Sequence, residues 1–122
     1  MADSRAGFIT HAGRRIYLIN AEGLTSQQVI DLCPTVERDI RSQPPASVMT
    51  ITHVKGVPLD HKMTERLRQL SEGNKPFVRC ACITGLSPVQ RFVFNTVKVL
   101  ARRDFHVFET VDQAKDFLST QP

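Results

Sequence analysis

The chain has 122 residues, enough for one domain that buries roughly two-thirds of its unfolded surface, so no disulfide framework is required. A hydrophobic fraction of 41% and a charged fraction of 23% are ordinary for a globular protein, and no run approaches the ~18 apolar residues of a membrane span. The net charge of +4 invites a nucleic-acid reading, but the basic residues are scattered, with one Tyr, no Trp and no basic–aromatic interleaving; a solvated basic surface and no nucleic-acid partner are expected.

The opening MADSRAG has no apolar core behind a basic segment, so no secretory signal is expected there. Cys33, Cys80 and Cys82 are odd in number and lack zinc-like spacing, as expected of reduced thiols in the cytoplasm. Phe8 to His11 and Arg15 to Asn20 are rich in β-formers and separated by Ala12-Gly13-Arg14, which predicts a hairpin turning at Gly13. Thr25 with Gln28 is a capping-box pattern. It opens a helical stripe of Val29, Ile30, Cys33, Val36 and Ile40 that stays in phase across Pro34, so one helix with a kink is expected.

Ser47 to Val54 is β-branched and apolar, a strand, and Lys55 to Leu59 a loop. From Asp60 a second helix carries Met63, Leu67 and Leu70 on one face, with Gly73-Asn74 as a left-handed stop. Residues 76–83 form an apolar β-forming run expected to be a central strand. Ser87-Pro88 then starts a helix whose stripe Val89, Phe92, Val93, Val97 and Leu100 should face the sheet. A short strand, Phe105 to Phe108, and a helix capped by Thr110 and Gln113 complete the chain. The order ββαβαβαβα predicts an α/β fold: a five-stranded, mostly parallel sheet with an antiparallel first strand and four main helices.

In such sheets ligands and partners are met at the carboxyl ends of the strands. One candidate is the turn Thr84-Gly85-Leu86-Ser87 with Arg91 one turn on, where a glycine and a helix start could receive an anion. The plainer reading, that Gly85 turns the chain and Ser87 caps the helix, is favoured. The other candidate is the loop Val54 to Met63, with Lys55, Asp60, His61, Lys62 and, just beyond, Thr64. Asp60 is most simply the cap of its helix, and acid–base work would need a positioned partner and a pocket. Cys80 and Cys82 fall on one face of a strand and read as core packing rather than as a metal or nucleophile site. No phosphate-loop, dinucleotide, serine-hydrolase or zinc-protease motif is present. No catalytic residue, metal or cofactor is assigned.

The segments HAGRRIYLINAEGLT, SVMTITHVKGV, NKPFVRCACITGLS and FHVFETVDQAKDFL, in this order and spacing, resemble the SpoIIAA-like proteins of the STAS superfamily, in its STAS/SEC14-like branch. The similarity covers about residues 8–118 of a single domain spanning 1–122. It implies a strand–helix fold serving as a non-enzymatic bacterial regulatory or binding module. Antagonists of this type carry a phosphorylated serine at the start of the helix after the third strand; Leu59 to Thr64 holds none, so the phospho-switch is not carried over. The expectation is a protein partner met through Lys55, Asp60, His61, Lys62 and Thr64. The alternative is a small anionic, nucleotide or lipid ligand at Thr84, Gly85, Ser87 and Arg91.

Overall fold

A computed structural model describes residues 5–58, 60–92 and 105–121. Strands β1 (Ala6–His11) and β2 (Arg14–Asn20) pair antiparallel. Their two-residue connection holds Ala12 at φ 50 and Gly13 at φ 78, the paired positive values of a type I′ hairpin turn. β3 (Val48–His53), β4 (Val78–Thr84) and β5 (Phe105–Phe108) continue the sheet in parallel, in the spatial order β1-β2-β3-β4-β5. The α/β class and the mixed five-stranded sheet therefore agree with the expectation.

Helix α1 (Ser26–Arg41) begins at a reciprocal capping box between Thr25 and Gln28 and runs through Pro34 as one helix. Helix α2 (His61–Asn74) is capped by Asp60. Helix α3 is described over residues 88–92, and α4 (Val111–Ser119) starts at a second capping box between Thr110 and Gln113. Side chains alternate across a strand, so Ile16 and Tyr17 point to opposite faces of the sheet. On one face Tyr17, Ile19 and Val48 pack against Leu32, Val36 and Ile40 of α1. On the other, Ile16, Met49, Ile51 and Cys82 pack against Ala114 and Leu118 of α4. A third cluster joins Ala21, Val54 and Val57, past the strand ends, to Val29 of α1 and Met63 of α2.

The structure corrects the sequence at three places. Gly73-Asn74 is no left-handed stop: Asn74 has φ −85, and the chain passes directly into a 3-10 turn, Lys75–Phe77. A Cβ on Gly73 would meet the guanidinium of Arg41, whose Nε donates to buried Asn74, so a larger residue there would have to push that flexible side chain aside. That turn also delays β4 to Val78. Lastly, Val89 and Phe92 do not face the sheet; they are 73% and 76% exposed. The rest of that stripe, Val93, Val97 and Leu100, lies outside the described residues.

Candidate functional site

The carboxyl ends of β2, β3 and β4 align Asn20, His53 and Thr84 in one row across the sheet. Beyond that row the loops are laced by main-chain bonds. Ala21 N–H donates to His53, Gly23 to Lys55, and Val54 to Thr84, at 2.8, 3.0 and 2.9 Å. The parallel ladder thus extends past the strands and fixes the rim.

His53 sits at the centre of this rim, 9% exposed. Its Nδ1 lies 2.8 Å from Thr84 Oγ1 and its Nε2 lies 2.8 Å from a Glu22 carboxylate oxygen. A carboxylate can only accept, so Nε2 carries the proton toward Glu22; in the neutral ring Nδ1 then accepts from the Thr84 hydroxyl. An acid, an imidazole and a hydroxyl in a chain have the order of a nucleophilic triad. Thr84, however, is 0% exposed, so no substrate carbonyl can reach its hydroxyl. The chain of bonds works as a staple joining three strand ends.

Gly85 belongs to the same closure. It has φ +84, and a Cβ would come within 2.8 Å of Lys55 N and 3.0 Å of His53 Cε1. Its missing side chain makes room for the protein's own loop. Ser87 accepts from Gln90 N–H at 3.2 Å, while Gln90 Oε1 receives Ser87 N–H and its amide donates to Val57 O at 2.8 Å. The start of α3 is thus capped reciprocally and tied to the loop between β3 and α2, and the cap is the plainer reading of this turn. Arg91 is exposed one turn on.

The other candidate set lies on the outer side of the rim. Asp60 accepts Met63 N–H at 2.8 Å and the Ser26 hydroxyl, so one carboxylate joins the starts of α1 and α2. The Ser26 bond, then the Met63 N–H, hold its carboxyl below the ordinary range. Lys62 Nζ reaches Gln27 Oε1 at 3.4 Å. Lys55, Asp60, His61 and Lys62 are all exposed, and Thr64 is half-buried, its N–H on Asp60 O. Of the predicted residues, Asp60, His61, Lys62 and Thr64 share one helix start, Lys55 lies on the same loop beside Gly85, and Thr84 is sealed beneath it.

Glu22 was missed by sequence reasoning. It lies 31 residues from His53 and in no motif; only the register of β2 on β3 brings the two together. The three thiols are free. Burial pushes Cys82 up to about 12 and raises Cys33 and Cys80, as core packing requires. Among the described residues no group of three or more His, Cys, Asp or Glu could hold a metal ion, and no helix is long and apolar enough to cross a membrane. A cavity under α1 and α2, lined by Ile19, Val29, Cys33, Val54, Leu67 and Leu70 among others, measures about 20 Å3, room for about one water molecule.

Comparison with protein-family models, with curated proteins and with solved structures finds no match for this chain.

Proposed function

We propose that this chain is a STAS-like, non-enzymatic regulatory module of the bacterial cytoplasm that binds a protein partner through Lys55, Asp60, His61, Lys62 and Thr64. One observation carries the reading: the rim is closed from within by its own groups and charged on its outer side. The Thr84 hydroxyl, the His53 ring and the Ser87 cap are consumed by internal bonds, while Lys55 on the loop after β3 and His61 and Lys62 at the start of α2 stand exposed. Strand order supports it too. Ligand crevices of open α/β sheets form where the order of strands reverses, and β1 to β5 run in sequence without reversal. A small anionic, nucleotide or lipid ligand at Thr84, Gly85, Ser87 and Arg91 has less to rest on, because only Arg91 of that set presents an uncommitted side chain in the described structure. Three free thiols accord with a reducing compartment.

The test is reconstitution. A protein captured from cells on the immobilised chain should rebind in purified form. The Lys55→Glu/Lys62→Glu variant should lose that binding at least tenfold while keeping its melting temperature. Undiminished binding by the variant would remove this surface from the account.

A further inference from the structure

β1 is an outer strand of the sheet, and its hydrogen-bonding phase can be read from the hairpin. The two-residue turn closes on His11 and Arg14, and Asn20 N–H donates to Arg5 O at 2.6 Å. In an antiparallel pair bonded and non-bonded positions alternate. Arg5, Gly7, Ile9 and His11 therefore bond toward β2, and the N–H and C=O groups of Ala6, Phe8 and Thr10 point away from the sheet. Among the described residues none of those outward groups has a main-chain partner.

Sheet edges are ordinarily blunted by lysine, proline, a bulge or very short length. β1 has none of these. Its six residues, AGFITH, carry no Lys, Pro or carboxylate, and its register on β2 is unbroken. β5, by contrast, is four residues long among the described residues. The outward pattern is also self-complementary. A two-fold axis through Phe8 sets Phe8 against Phe8 of a second copy, and Ala6 against Thr10 in both directions. Each of these three pairs can exchange two main-chain bonds. Phe8, half-buried against Tyr17 with its ring centroid 4.9 Å away, would then lie beside its symmetry mate on the α1 face.

We infer that β1 is a homodimerisation edge, joining two copies of this chain through antiparallel β1–β1 pairing about Phe8 into one continuous sheet. Such an interface is isologous and closes at two copies, leaving no second β1 edge to propagate. The carboxyl rim takes no part in it, so this inference stands apart from the proposed partner surface.

Sedimentation equilibrium from about 1 μM to about 1 mM, the range of weak association, tests it. The unmodified chain should pass from monomer to twice the monomer mass. Thr10→Pro should remain monomeric: the lost N–H is an outward one, so the β1–β2 ladder is kept. Thr10→Lys should remain monomeric too, by adding an edge charge, and it decides the matter if the proline variant fails to fold. A chain that stays monomeric throughout, or a dimer that persists in Thr10→Lys, would overturn the inference.

Discussion

The two faces of the sheet are closed by different physics. The α1 and α2 face joins its apolar cluster to a set of directed polar bonds. Arg66 of α2 grips Glu37 of α1 with two bonds of 2.8 Å, buried Tyr17 donates to Asp39 at 2.8 Å, and Arg41 holds Asn74. The α4 face rests on packing: Leu118 and Ala114, both 0% exposed, with Phe117 stacked near Phe108 and His106 at 5.2 and 4.5 Å. Its polar tie to the sheet in the described residues, His11 to Asp116, is largely exposed. Apolar burial is non-directional, whereas bidentate bonds fix angle and register. The face whose helices start at the proposed partner surface is thus the one held in register by polar bonds.

That contrast can be broken in order of size. Leu118→Ala should cost most, about 2–5 kcal/mol by denaturant unfolding, because Leu118 is the largest fully buried side chain of α4. A loss below 1 kcal/mol would mean that α4 does not close that face. Tyr17→Phe keeps the ring packing and removes one bond, so about 1 kcal/mol is expected. Glu37→Gln should cost about 1 kcal/mol or less near neutral pH, since both partners keep partial contact with water.

The Glu37 effect should also depend on pH. The bonds from Arg66 hold its folded carboxyl below the ordinary value of 4.5, against the opposing effect of burial. A depressed folded value contributes stability that is present above 4.5 and lost as pH falls through the lower folded value. The melting-temperature gap between the native chain and Glu37→Gln should therefore be flat from about pH 8 to 6 and close in more acid solution. A gap that widens on acidification would contradict the pair. Smallest in stability terms, but sharp in readout, is thiol reactivity: in the native state Cys33 and Cys82 should resist alkylation, and Cys80, half-buried, should react first.

Much of this fold was legible in the sequence because its signals are local. Thr25 with Gln28, Thr110 with Gln113 and Ser87 before Pro88 announce helix starts within four residues, and each forms its cap. Ala12-Gly13 announced its turn in the same way, although Ala12 had to take a positive φ that costs about 1 kcal/mol in an L-residue. What could not be read is whatever depends on contact across the fold. Gly73-Asn74 does end its helix, but without the left-handed residue expected there: Asn74 stays right-handed, its side chain held by Arg41 of α1, and the chain runs on into a 3-10 turn. Val89 and Phe92 kept helical spacing, which fixes a shared face without saying whether that face meets the sheet. At the rim, Asp60 was legible as a cap, whereas its bond to Ser26 and the bonds of His53 to Glu22 and Thr84 join residues more than 30 apart.

The most direct test of the proposed surface is a nuclear magnetic resonance titration of the isotope-labelled chain with its reconstituted partner. Amide signals of residues 55 and 60–64 should move first and furthest, with Leu118 and the strand interiors unchanged. Shifts confined to the β1 edge or to the α4 face, with residues 60–64 silent, would contradict the assignment of partner binding to the carboxyl rim.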